Sequence, residues 1–118
     1  MATALWYTLD IYYCYGDLGS SRQLHWFEWD EANAHKNWDR HRVSPEEAED
    51  IFFNEPLVVR SDASSSRIEK RYYALGRTGT GRRLFVSFTI RRQQIRVISV
   101  RDMNRNETEI YQRHEENS

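Results

Sequence analysis

The stretch Arg82–Arg101, RRLFVSFTIRRQQIRVISVR, decides the fold. Its halves, Arg82–Ile90 and Ile95–Arg101, are rich in β-branched and aromatic residues and read as two strands. Between them, Arg91-Arg92-Gln93-Gln94 is polar and short enough to be a hairpin connection. If Ile90 pairs with Ile95, then Leu84, Val86 and Phe88 share a face with Val97, Ser99 and Arg101. A slip of one residue reverses that assignment.

Working outward, Arg71–Arg77 is a further strand and Thr78-Gly79-Thr80-Gly81 the turn that leads from it. Asp62–Ser66 is a polar loop, and Leu57–Arg60 a short apolar run. Upstream, Leu24–Trp29 has the composition of a short aromatic strand. Asp30 is a good N-cap, so Glu31–His41 is a predicted helix, with Ala34, Trp38 and His41 on one face. Ser44-Pro45-Glu46-Glu47 is a second helix start, with a capping serine, proline at the first helical position and glutamate three residues after the cap. Ala48, Ile51 and Phe52 give that helix its buried side, and Pro56 closes it. Downstream, Asn104 caps a last helix through Arg113, and His114–Ser118 is a tail expected to fray. The order predicts an α+β domain over 25–113: an antiparallel sheet with two N-terminal helices and one C-terminal helix. Residues 1–24 form an extension with Trp6, Tyr7, Tyr12, Tyr13 and Tyr15 ahead of a turn-like Gly16–Ser21. An extra strand, a tail and sequence upstream of the true start are all open readings of it.

A chain of 118 residues, 39% hydrophobic and 14% aromatic, suits one domain with one modest core. Its single cysteine, Cys14, cannot form an internal disulfide or a cysteine zinc site. No apolar run approaches the roughly 20 residues needed to span a bilayer. Ala4–Tyr15 lacks a basic start and contains Asp10, which makes a poor signal peptide, so the cytoplasm is the expected compartment.

The net charge of −1 hides a strong polarity. Residues 1–66 hold 5 basic and 12 acidic side chains, whereas 67–105 hold 11 basic ones against only Glu69 and Asp102. Residues 106–118 turn acidic again. Of the 17 basic residues only Lys36 and Lys70 are lysines. Arginine presents a planar fork of donors that matches phosphate and stacks on bases. Two readings stay open on charge alone: an anionic partner for one face, or arginines that pair with the acidic half of the same chain.

Four histidines stand at 25, 35, 41 and 114 without metal-ligand spacing, and Gly76–Gly81 has no lysine-serine pair after it to make a phosphate loop. No metal and no cofactor are expected. Serine and cysteine lack an adjacent base. Arginine, glutamate, histidine and tyrosine remain, and they suffice for RNA cleavage, because RNA carries its own nucleophile in the 2′-hydroxyl. The protein has to deprotonate that hydroxyl, stabilise a dianionic phosphorane and protonate the leaving oxygen. Glu47, His41 and Tyr111 are candidates for proton transfer. Each has a structural alternative: Glu47 as a cap, His41 as a helix-end residue, Tyr111 as packing for the last helix.

Phe27-Glu28-Trp29-Asp30, then Asn37, Arg40 and His41, then Val43-Ser44 and Glu47-Ala48, resemble the opening of the BrnT toxin family. Arg71 before Ala74-Leu75-Gly76-Arg77, the apolar strand ending at Thr89, the run Ile95–Arg101, and Arg105, Glu107 and Tyr111 continue the resemblance in order over residues 26 to about 113. Asn33 replaces a usual lysine, Arg42 a usual helix-ending glycine, and Pro45 a usual aromatic. The resemblance implies a fold like RelE-type ribonuclease toxins and RNA cleavage that inhibits translation. It also implies a BrnA-like antitoxin with a DNA-binding domain, through which alone operator DNA would be reached. The catalytic candidates are then His41, Glu47, Arg71, Arg91 and Arg101. Arg77, Arg82, Arg96, Arg105 and Tyr111 are candidates for holding RNA. Two other classes compete: a module of the same fold that binds RNA or antitoxin without cutting, and a plain structural domain.

Overall fold

A computed structural model describes residues 6–9, 27–62 and 70–117. Residues 24–26 of the expected first strand, the Gly16–Ser21 turn and most of the Asp62–Ser66 loop lie outside the described residues. Among the described residues six strands form one sheet: β1 (Tyr7–Leu9), β2 (Phe27–Glu28), β3 (Leu57–Ser61), β4 (Tyr72–Arg77), β5 (Arg83–Arg91) and β6 (Gln94–Asp102), in the order β1-β3-β4-β5-β6-β2. Among the described residues three helices accompany them: α1 (Glu31–His41), α2 (Pro45–Asp50) with a 3-10 turn at Ile51–Phe53, and α3 (Arg105–Glu116). The strand reading of the N-terminal aromatics holds for Tyr7–Leu9, which pairs with β3. The sheet is not wholly antiparallel as expected, because β2 runs parallel to β6. Parallel neighbours need a crossover, and α1 and α2 lie within it.

The helix starts follow local chemistry. Asp30 Oδ1 accepts from the backbone of Ala32 at 2.8 Å and Asn33 at 3.4 Å. Ser44 Oγ accepts from Glu47 N, and Glu47 Oε1 accepts from Ser44 N, closing the expected capping box. Asn104 and Glu107 form a second box at the start of α3. Helix α1 stops at Arg42, which takes the left-handed conformation (φ 52°) that glycine usually fills. Its guanidinium lies over the Trp38 ring, 5.3 Å from the centroid. Helix α2 ends at Asp50, well before Pro56. Helix α3 runs to Glu116, past the expected end at Arg113, because Glu115 is tied down by Arg77 at 3.4 Å and Arg83 at 2.9 Å.

Strand alternation divides the core in two. On one face Val43, Ala48, Ile51 and Phe52 pack onto Leu57, Val59, Ala74, Leu84, Val86, Phe88, Ile95, Val97 and Val100. Burying a side chain such as Ile51 or Phe52 contributes about 2–3 kcal/mol, so this short helical segment is held by packing. Ile51 sits so close to β4 that a Cβ on Gly76 would lie 2.8 Å from its own. On the other face Tyr111 covers Val58 and Leu75, with Trp6, Phe85, Met103 and Ile110 around it. Helix α1 packs against β6, burying Asn37 and leaving Trp38 and His41 exposed. Asn37 Oδ1 accepts from Val100 N at 3.3 Å, where β2 no longer pairs with β6.

The hairpin turns at Arg92 and Gln93, both at positive φ as a two-residue turn requires. Ile90 pairs with Ile95 and Phe88 with Val97, as the sequence predicts. A bulge follows, and from there Ser87 faces Ser99, Val86 faces Val100 and Phe85 faces Arg101. One extra residue inverts the alternation. Ser99 and Arg101 therefore do not share the face of Leu84, Val86 and Phe88; they point to the α3 side, and Val100 takes the helix-covered place instead. The break is visible in the apolar pattern, where Val97-Ile98 stand in succession before Val100.

Candidate functional site

The α3 side of the sheet is ordered in cross-strand rows. Val58, Leu75, Phe85 and Arg101 align in the first, and Arg60, Tyr73, Ser87 and Ser99 in the next. Beyond them Thr89 faces Arg96, and Arg71 O accepts from Asp62 N. Cations and rings alternate across these rows. The Arg60 guanidinium is 4.9 Å from the Trp6 ring and 4.6 Å from that of Tyr73, Tyr73 stacks on Phe85 at 5.4 Å, and Arg101 lies 4.1 Å over Phe85. Such pairs contribute about 0.5–1 kcal/mol each when exposed, and more when dry. Arg101 also makes a two-bond fork to Glu107, both arms at 2.9 Å. Tyr73 Oη donates to Asp62 Oδ2 at 3.0 Å. Arg71 Nε is buried and has no hydrogen-bond partner among the described residues. Arg96 reaches Asp30 at 3.6 Å.

The opposite side carries a different cluster. Arg82 Nε donates to Asp102 Oδ1 at 2.8 Å and Nη2 to Asp102 Oδ2 at 3.1 Å. Nη1 donates to Arg42 O at 2.8 Å and to Glu47 at 3.2 Å, and Nη2 also donates to His41 O at 3.0 Å. All five N–H bonds of this guanidinium are used. The bond from Arg82 holds the Asp102 carboxyl below its ordinary range. The same bond raises the guanidinium further.

The five catalytic candidates are thus not brought together. Arg71, Arg91 and Arg101 fall on the α3 side by strand alternation, whereas His41 and Glu47 join Arg82 on the other. Arg91 ends β5, six residues beyond the partner of Arg101. At about 3.4 Å per residue they stand about 20 Å apart. Arg77 is engaged by Glu115, and Arg105, 94% exposed, has Glu109 at 3.8 Å. Arg82 serves the protein's own carboxylates and carbonyls. The expectation that Tyr111 touches RNA or moves a proton is corrected. Its side chain is fully buried, its hydroxyl donates to Pro56 O at 2.7 Å, and burial pushes it up to about 12.

Sequence reasoning passed over Arg60, Tyr73 and Asp102. Arg60 carried a signal, as the one charge closing an apolar run. Tyr73 sits one residue from its buried neighbour Ala74, and its face follows once the strand is phased. Nothing local marks Asp102. Among the described residues no group of three or more His, Cys, Asp or Glu side chains is placed to hold a metal ion, and no helix is long and apolar enough to cross a membrane.

A small α+β domain with helices on both faces of a mixed sheet, and an arginine–aromatic stack along one of them, is the class these features define. A family model described as "Ribonuclease toxin, BrnT, of type II toxin-antitoxin system" matches residues 29–107, more than half of the chain. The chain belongs to that family, whose members are ribonuclease toxins of systems that pair a toxin with an antitoxin. No curated protein matches it.

Proposed function

We propose that the α3 side of the sheet is where RNA is bound and cut, by attack of the 2′-hydroxyl on the adjacent phosphate and without a metal ion. Translation stops as messages are lost. A BrnA-like antitoxin neutralises the toxin and brings it to operator DNA, the whole cycle running in the cytoplasm on a RelE-like fold. The observation that carries this reading is the gathering of Arg60, Arg71, Arg96 and Arg101 on one sheet face with rings between them. Guanidinium groups placed where charge develops stabilise a phosphorane far better than water does, and phosphate contacts of this kind make binding steeply salt-dependent. The experiment is induced expression in cells lacking antitoxin, with mapping of RNA ends. Growth arrest with new RNA ends, relieved by Arg71→Ala, supports the reading. Arrest with intact RNA refutes it.

One observation favours a second reading, a module that binds RNA or antitoxin without cutting. Neither His41 nor Glu47 stands on the arginine face, and Tyr111 is buried. Purified protein that binds RNA with steep salt dependence and leaves it whole would support this alternative.

A further inference from the structure

The geometry points to Tyr73 as the group that takes the proton from the 2′-hydroxyl, with Asp62 behind it as final acceptor; this rests on the ribonuclease reading above. Tyr73 Oη already donates to Asp62 Oδ2 at 3.0 Å. The ring is locked from both sides. Arg60 from β3 lies 4.6 Å from its centroid, and Phe85 from β5 stacks on it at 5.4 Å and 26°. A ring so enclosed has no face left for a base, and what it offers is its hydroxyl edge. Arg71 lies two residues before Tyr73 on the same strand face, about 7 Å away, with its Nε buried and unpartnered among the described residues. A guanidinium presents a planar fork of donors that suits a phosphate oxygen. Proton acceptor and phosphate donor thus stand side by side on the arginine face.

The step balances as follows. The 2′-O–H bond breaks as the 2′-O–P bond forms; that proton passes to Tyr73 Oη, whose own proton passes to Asp62 Oδ2. The P–O5′ bond breaks, and the 5′-oxygen takes a proton from water. The hydroxide left behind removes the proton from Asp62, which returns the pair to its starting state. The products are a 2′,3′-cyclic phosphate and a 5′-hydroxyl.

The test uses the full chain on a labelled messenger RNA, both naked and in a translating extract, with Tyr73→Phe and Asp62→Asn. General-base contributions are about 100-fold or more. Tyr73→Phe is expected to lower kcat about 100-fold with KM within about twofold. Asp62→Asn keeps an oxygen for the tyrosine to bond, so a merely structural tie survives it. It is nevertheless expected to lower kcat about tenfold or more and to flatten the acid limb of the pH–rate profile. Folding of both variants is checked by their thermal transitions. Wild-type cleavage matched in rate and pH profile by a folded Tyr73→Phe overturns the proposal and leaves the ribonuclease reading standing. A wild type that cuts RNA in neither setting overturns both.

Discussion

Replacing Arg82 with alanine tests how the two helices are fastened to the sheet. The side chain spans three elements: the carbonyls that end α1, Glu47 in the first turn of α2, and Asp102 at the end of β6. Glu47 is 34% exposed and Asp102 60% exposed. A charge-assisted bond contributes about 1.5–3 kcal/mol when shielded and about 0–1 kcal/mol when exposed. Glu47 falls nearer the first case and Asp102 nearer the second. The two carbonyls regain water and add little. The expected cost of Arg82→Ala is therefore about 2–3 kcal/mol. In urea, with m of roughly 1.5 kcal/mol/M, the midpoint falls by about 1–2 M with m unchanged. Arg82→Lys keeps the charge but has three donors on one nitrogen and no planar fork, so it should lose about half as much. A double-mutant cycle with Glu47→Gln should give a larger coupling than one with Asp102→Asn. An Arg82→Ala cost below about 0.5 kcal/mol, or the reverse order of couplings, would refute the reasoning.

Asp102, held below its ordinary value of 3.8 by Arg82, contributes stability that is whole above that value and fades as pH falls through the depressed one. Acid unfolding curves of wild type and Asp102→Asn should accordingly converge as pH drops below that range. Tyr111, pushed up to about 12 from 10.0, contributes stability that is whole below 10.0 and lost as pH rises toward 12, since the unfolded chain ionises first. Tyr111→Phe should lack that alkaline loss and should cost about 1–2 kcal/mol at neutral pH, by leaving the Pro56 carbonyl without its donor. Gly76→Ala should destabilise by about 1–3 kcal/mol, read from its thermal midpoint, because its Cβ would crowd Ile51 at 2.8 Å.

Much of the fold was legible because it rests on local chemistry. The Ser44 capping box, the span of α1 and the Ile90–Ile95 pairing are set by a few neighbouring residues and came through intact. What failed depended on distant partners. The end of α3 is fixed by Glu115 meeting Arg77 and Arg83 from two strands, and no helix signal near Arg113 encodes that. The parallel β2 depends on the path of a crossover. The candidate site was legible as an arginine-rich block but not as geometry. The bulge after Val97 changes the face of Arg101, and strand alternation then sets it apart from Asp102, its neighbour in sequence. His41 and Glu47 looked like proton-transfer groups because they are titratable, yet they sit beyond the thickness of a sheet from the arginines they were meant to serve. Tyr73 was missed because its meaning comes from Arg60, Phe85 and Asp62, drawn together across three strands.

The Asn37 amide has a consequence for how this protein behaves in a crowd. Where β2 stops, the flank of β6 would present backbone donors and acceptors to any passing strand, the usual template for sheet-to-sheet polymerisation. A side-chain oxygen on α1 fills the place of a neighbouring strand at Val100, while its own Nδ2 stays buried and unpaired. An unmet donor costs about 1–3 kcal/mol. The chain carries that cost at the point where β6 would otherwise offer an open donor to another strand.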